Sequence, residues 1–192
     1  MTDSTLRLRV IPAIAEVDAV AWDACANPAL DPAVQSNSEH SQSAFAESPY
    51  NPFISHAFLH ALEASGSAVA RAGWQPQHII AEGPDGSVLG AVPCYLKSHS
   101  RGEYVFDRGW AEAYERAGGQ YYPKLQVSVP FTPAGGRRLL VRPSPDADRV
   151  RDGLIAGLLE LCRRQQASSV HFTFLPEPEW KALKATPKPK AP

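Results

Sequence analysis

Between Leu125 and Leu175 the hydrophobic period changes twice, and this constrains the fold more than any other feature of the chain. Leu125, Val127, Val129 and Phe131 alternate with Gln126, Ser128 and Pro130, the pattern of a strand with one face inward. Val150, Leu154, Leu158 and Leu161 then form one continuous stripe at helical spacing. Ser144-Pro145 is expected to open that helix, because proline is tolerated at the first helical position. Val170 to Leu175 reads as a last strand. A helix stripe framed by strands buries itself against a sheet, so the chain is expected to be α/β.

The remaining segments agree. Leu6 to Ile11 alternates apolar and charged residues, a half-buried first strand. Ile14, Val17, Ala21 and Cys25 predict a helix from Ile14 to Ala26. Residues 27–52 are rich in Ser, Asn and Pro and predict a long loop. Ser55 is the expected N-cap of a second helix that ends at Gly66. Gln77 to Glu82 and Ser87 to Leu96 read as strands joined by the turn Gly83-Pro84-Asp85-Gly86, with Pro93 demanding a bulge or an edge. A third helix is expected over Asp107 to Ala117. Gly135-Gly136 reads as a hairpin turn, and Lys184 to Pro192 as a disordered Lys/Pro tail.

A formal net charge of -1 over 192 residues offers no cluster of positive charge for DNA or an anionic membrane. No apolar run approaches the roughly 20 residues of a membrane helix. Three cysteines, Cys25, Cys94 and Cys162, without a CxxC pair favour reduced thiols and a cytoplasmic setting.

Chemistry concentrates between residues 97 and 124. Lys97, His99, Arg101, Glu103 and Asp107 surround Gly102, and Trp110, Tyr114, Tyr121, Tyr122 and Lys124 follow. Such a set can orient a polar substrate and exchange protons; the bland alternative is a solvated loop with weak surface ion pairs. His56 and His60 share a helix at ligand spacing, but Ala57 replaces the glutamate a zincin needs, and surface histidines are expected there. Gly135-Gly136-Arg137-Arg138 lacks the spacing of a phosphate loop, which leaves Arg142 as a weak anion-binding candidate near a helix start. No G-x-S-x-G elbow is present.

Three stretches together resemble a known family: Asn51-Pro52-Phe53-Ile54-Ser55-His56-Ala57-Phe58-Leu59; Lys97-Ser98-His99-Ser100 with Gly102-Glu103-Tyr104-Val105-Phe106-Asp107; and Tyr121-Tyr122-Pro123-Lys124-Leu125 with Val129-Pro130-Phe131-Thr132-Pro133. They look like the FemAB-like predicted N-acyltransferases of the GNAT superfamily, tied to peptidoglycan biosynthesis or recognition. The resemblance implies a GNAT-like mixed sheet flanked by helices over residues 1–183, and a second such unit that this chain lacks, so a truncated product is expected. It implies transfer of an acyl or aminoacyl group to a small-molecule or peptide amine, with no permanently bound cofactor and with acyl-coenzyme A or aminoacyl-tRNA as donor. Any tRNA contact would be with that donor alone. His99 or Glu103 is the expected base or relay. Ser55, His56, Lys97, Asp107 and Lys124 are expected to position substrate, and Trp110, Tyr114, Tyr121 and Tyr122 to line the cleft. The chain departs from a GNAT pattern before its long helix, where Val141-Arg142-Pro143-Ser144-Pro145 replaces the Gln/Arg-x-x-Gly-x-Gly/Ala turn that meets pyrophosphate. A non-catalytic recognition domain, or an inactive remnant, is the alternative expectation.

Overall fold

The structure is a computed structural model that describes residues 5–28 and 50–185. Most of the expected 27–52 loop, and the tail beyond Ala185, lie outside the described residues.

Among the described residues, eight strands form two four-stranded sheets. The first holds β1 (Arg7–Ile11), β3 (His78–Glu82), β4 (Val88–Val92) and β7 (Leu140–Val141); the second holds β2 (Trp74–Pro76), β5 (Cys94–Lys97), β6 (Lys124–Val127) and β8 (Val170–Phe172). Every pairing is antiparallel except β6 with β8. The sheets are two halves of one bent ribbon, since only Gln77 separates β2 from β3 and only Pro93 separates β4 from β5. Pro93 has no N–H to give the ladder, which breaks there. The break is bridged by the Gln77 N–H on Cys94 O at 2.8 Å and by the Cys94 N–H on the His78 ring Nδ1 at 3.2 Å.

Helix α4 (Ala147–Arg164) covers one face of both halves, because its stripe meets Ile79, Ala81 and Val92 of one and Cys94, Leu125 and Val127 of the other. Val150, Leu154, Leu158 and Leu161 are each at most 5% exposed, and burying such side chains stabilises by about 2 kcal/mol apiece. On the opposite face of the first sheet, α1 (Ala19–Ala26) and α2 (His56–Ala64) pack Trp22, Cys25 and Leu59 on Ile80, Ala91 and Leu140. On that side of the second sheet α2 reaches Trp74 and Tyr95 through Leu62, and among the described residues the lysines beyond are covered by a loop, which positions the site.

Several expected boundaries are corrected. The helix expected from Ile14 to Ala26 is a 3-10 turn, Ile14–Glu16, followed by α1, because the Asp18 carboxylate takes the Ala21 N–H and caps a fresh start. The long helix begins at Ala147 rather than at Pro145, since Ser144 O accepts the Ala147 N–H in a preceding turn. Strand β6 stops at Val127: Pro130 cannot donate, and Phe131 turns into the left-handed region at φ 56°. Strand β8 stops at Phe172, before Phe174 at φ 57°. Gly135-Gly136 is no hairpin turn, for β6 and β7 belong to different halves, and Gly136 N–H instead meets Phe174 O at 3.1 Å. Helix α5 (Glu177–Ala185) takes in Lys184, where the tail was expected to begin. The short strands β2 and β7 were not expected. Ser55 caps α2 as expected, and α3 spans Arg108–Arg116.

Candidate functional site

Strand alternation builds the site. On the second sheet Leu96, Leu125 and Val127 face α4, so Lys97 and Lys124, the next residues along their strands, face away from it. The two lysines are paired across β5 and β6. A loop returning over that face brings Ser100, Glu103 and Asp107 onto them.

Lys124 Nζ donates to Ser100 Oγ at 2.8 Å, Glu103 Oε2 at 2.8 Å and Asp107 Oδ2 at 2.7 Å. Asp107 Oδ2 also accepts from Ser100 Oγ at 2.8 Å and Tyr121 OH at 2.9 Å. Ser100 spends its only proton on Asp107, so Tyr122 OH is the donor in the 2.7 Å bond between the two hydroxyls. Lys97 Nζ lies 3.4 Å from the Trp74 ring centroid, 3.3 Å from Arg101 O and 3.9 Å from Glu103 Oε1.

Burial sets the electrostatics. It pulls Lys97 down to about 7, against the opposing pull of Glu103. It pushes Glu103 above the usual carboxylate range, with Lys124 resisting. Burial also pushes on Asp107, yet the bonds from Lys124, Ser100 and Tyr121 outweigh it and the carboxyl ends below its ordinary value. The Tyr121 phenol is raised by burial and by the Asp107 charge it faces. His99 is lowered by burial and by Lys97 and Arg101, which keeps it neutral near pH 7.

Outside this cluster a cleft of ≈ 730 Å³ opens along residues 99–112, with Ser100, Gly102, Tyr104, Phe106, Asp107 and Tyr122 among its walls. That volume suits a drug-sized ligand. His99 also lines it, with its ring against Gly73 and its Nδ1 accepting the Arg101 N–H at 3.2 Å.

Of the expected site residues, Lys97, Glu103, Asp107, Tyr121, Tyr122 and Lys124 come together, with His99 beside them. Tyr114 reaches only the edge, its ring 6.4 Å from that of Tyr121, and Trp110 stands 78% exposed on the outer side of α3. Ser55 and His56 lie elsewhere. Ser55 Oγ takes the Phe58 N–H as a helix cap, and the His56 ring bonds Ile14 O at 3.1 Å. His56 is thus half-buried rather than a surface residue, while His60 is exposed, and the described residues hold no metal-ligand cluster. Arg142 is half-buried just past β7, its N–H on Leu89 O.

Sequence reasoning missed Ser100, whose hydroxyl links Lys124, Asp107 and Tyr122, and the buried Trp74 beneath Lys97. The Ser100 signal was its position amid charged neighbours. Trp74 carried no signal of periodicity, because β2 is only three residues long.

An α/β protein with a buried lysine–carboxylate cluster beside a cleft is equipped to bind a polar group and move its protons. Residues 13–188 match the FemAB-like family, described as peptidoglycan biosynthesis/recognition, and the chain belongs to that family. The α/β fold that this membership leads one to expect is the one found. A solved acetyltransferase of Trypanosoma brucei is similar over 98% of this chain and 97% of its own, at 16% identity and a TM-score of 0.41, too low to carry a functional argument. No curated protein matches the chain.

Proposed function

We propose that the chain serves transfer of an acyl or aminoacyl group onto an amine, at the cleft bordered by Ser100, Asp107 and Tyr122. The observation that carries this is Glu103: one oxygen is fixed by Lys124, the other has no hydrogen-bond partner, and burial has raised its proton affinity. In the reaction the amine nitrogen attacks the activated carbonyl, the bond to the leaving group breaks, and the amine's proton passes to a base. Glu103 is that base or its relay, linked through the Lys124 ammonium to Ser100 and Asp107, and through Ser100 to Tyr122, at the cleft wall. Neutral His99 on the cleft wall is the second candidate. The donor in this reading is acyl-coenzyme A or aminoacyl-tRNA, with Arg142 as a weak candidate for its anionic group. A reducing, cytoplasmic setting belongs to this reading and is supported by the free thiols of Cys25, Cys94 and Cys162. Among the described residues no helix is long and apolar enough to cross a membrane.

The test is transfer to a panel of amines from each donor class. Glu103→Gln should lower turnover by about 10²-fold or more, the ordinary contribution of a general base. Unchanged turnover in both Glu103→Gln and His99→Ala removes the assignment. The second reading, recognition without catalysis, is favoured by the way Lys124 is saturated by Ser100, Glu103 and Asp107. Thermal stabilisation by muropeptides, with none by either donor, would establish it.

A further inference from the structure

The two faces of the second sheet differ in kind. Leu96, Leu125, Val127, Val170 and Phe172 pack on α4. The opposite face carries Trp74, Tyr95, Lys97, Lys124, Gln126 and Ser128, all at most 2% exposed. Registered pairing joins Trp74 to Lys97, Lys97 to Lys124, and Tyr95 to Gln126.

Five buried side-chain nitrogen and oxygen atoms of the described residues have no hydrogen-bond partner, and all belong to this face or to the loop over it: Trp74 Nε1, Tyr95 OH, Glu103 Oε1, Gln126 Oε1 and Ser128 Oγ. Each orphan costs about 1–3 kcal/mol in a dry interior. Tyr95 turns its ring to His78 and its hydroxyl toward Glu63. The atoms that call for an occupant on the Lys97–Lys124 side are therefore those of Trp74, Glu103, Gln126 and Ser128. Their chemistry describes it. Glu103 Oε1 and Gln126 Oε1 only accept, and Gln126 Nε2 is already engaged with Thr173 Oγ1 at 3.2 Å. The Ser128 hydroxyl does either, and Trp74 Nε1 only donates. An ammonium group gives three protons to such acceptors, while an oxygen beside it receives the indole N–H. Burial that pulls Lys97 down to about 7 lets a second cation come close without full repulsion.

The covering is thin. Gly102, at φ 82°, lies over the indole nitrogen, and a Cβ added to it would come 3.3 Å from Trp74 Nε1 and 2.6 Å from the Phe131 ring. Phe131 holds the outer position, its N–H on Gly102 O at 3.0 Å and its ring 5.5 Å from that of Trp74. Its φ of 56° is strained for a bulky side chain, a conformation retained where it serves a purpose. Gly102 also borders the cleft.

We propose that this polar sheet face is a subsite for a primary ammonium group with a neighbouring oxygen acceptor, reached from the cleft past Gly102 and Phe131. It deepens the transfer reading by placing the amine, and rests on that reading only for what happens to the amine next.

Calorimetry on the full chain at neutral pH, where an α-ammonium persists and Lys97 has begun to lose its proton, tests it with glycinamide against propionamide, which replaces the ammonium by a methyl group. Glycinamide should bind about tenfold or more tighter, the worth of a charge-assisted hydrogen bond. Gln126→Met should abolish the preference, whereas Thr173→Val, which loses only the Gln126 Nε2 bond to Thr173 Oγ1, should keep it. Equal binding of the two amides, or binding of neither, would mean that water alone fills the face and overturns the subsite. A folded Gln126→Met protein that keeps the preference overturns it as well. Because binding is read without turnover, a chain that prefers glycinamide and transfers no acyl group keeps the subsite and loses the reaction.

Discussion

Lys97 and Lys124 stand opposite each other across β5 and β6, both wholly buried, yet only one of them is fully paired. Lys124 has three oxygen partners within 2.8 Å, two of them carboxylates. Lys97 has a carbonyl at 3.3 Å, a ring face, and a carboxylate no closer than 3.9 Å. Removing one partner of a buried pair leaves an uncompensated charge, whereas removing a poorly paired buried charge is often harmless. Lys124→Met should therefore lose about 3–5 kcal/mol in urea unfolding, and Lys97→Met should stay within about 1 kcal/mol of the parent. Equal losses would show the two lysines to be equally paired.

The same asymmetry sets a pH dependence. Lys97 is lowered from its ordinary 10.5 to about 7. Between those values the unfolded chain holds a proton that the folded chain lacks, so stability rises with pH across the window and is lost as pH falls through about 7. Glu103 has the opposite sense at the acid end. Raised by burial, it contributes stability below the ordinary 4.5 that disappears as pH climbs through its folded value. Urea midpoints taken from neutral to alkaline pH should climb in the parent and flatten in Lys97→Met. A flat parent profile would mean that Lys97 keeps its ordinary proton affinity.

What the sequence showed and what it hid follow one physical division. Periodicity reports burial against a neighbouring layer, so the α4 stripe and the alternation of β1 were readable. Capping chemistry is local, so Ser55 could be placed at the start of α2. The cluster was recognisable as a set, because Lys97 through Asp107 crowd charged residues around a glycine. That Lys97 and Lys124 are fully buried was not readable, since lysines in strands ordinarily point to water. It took the register of β5 on β6 and the return of residues 98–107 to cover them. Strands β2 and β7 escaped for a related reason. Three and two residues are too few to display a period, and both exist because a longer neighbour offers a ladder.

Gly90 and Gly109 should respond oppositely to alanine. At Gly90 of β4 a new Cβ would meet Val150 Cγ1 at 2.8 Å, Leu154 Cδ1 at 3.1 Å and Leu140 O at 3.2 Å, so α4 must shift away. Overpacking of this kind costs about 1–3 kcal/mol. At Gly109 in the first turn of α3 nothing lies within 4 Å, and alanine should stabilise by up to about 1 kcal/mol through helix propensity. Melting temperatures of the two variants decide the matter, and a stable Gly90→Ala would show that α4 does not rest on β4 there.

Ser55 separates a structural role from the substrate-positioning role expected of it. Its hydroxyl caps α2 through the Phe58 N–H at 3.3 Å and donates to Pro52 O at 2.7 Å. Ser55→Ala should cost about 1 kcal/mol of stability and leave KM for donor and acceptor unchanged at a temperature where the variant is folded. A KM shift of tenfold or more there would return Ser55 to the site.

Glu179 supplies the last expectation, and it concerns what keeps β7 in place. Its carboxylate is 1% exposed and accepts the Arg138 N–H at 2.9 and 3.1 Å and the Leu139 N–H at 2.6 Å. These amides immediately precede β7, whose ladder to β4 is only two residues long, Leu140 with Ala91 and Val141 with Gly90. The Arg138 guanidinium is spent on backbone carbonyls of Ala134, Gly136, Arg137 and Thr173, so it joins the neighbouring loop to the stretch after β8. One carboxylate on α5 thus holds the backbone that brings β7 to the sheet edge. Glu179→Gln preserves the size but offers one acceptor oxygen instead of two, and turns an amide N–H toward backbone donors. The loss should be about 3 kcal/mol, within the range for a charged bond broken in a buried site. Hydrogen exchange separates this from general destabilisation. Protection should fall first at residues 138–141 and in β4 opposite them, while the amides of α2 keep theirs. If residues 138–141 stay protected in Glu179→Gln, the short ladder holds by itself and α5 is a bystander to the fold.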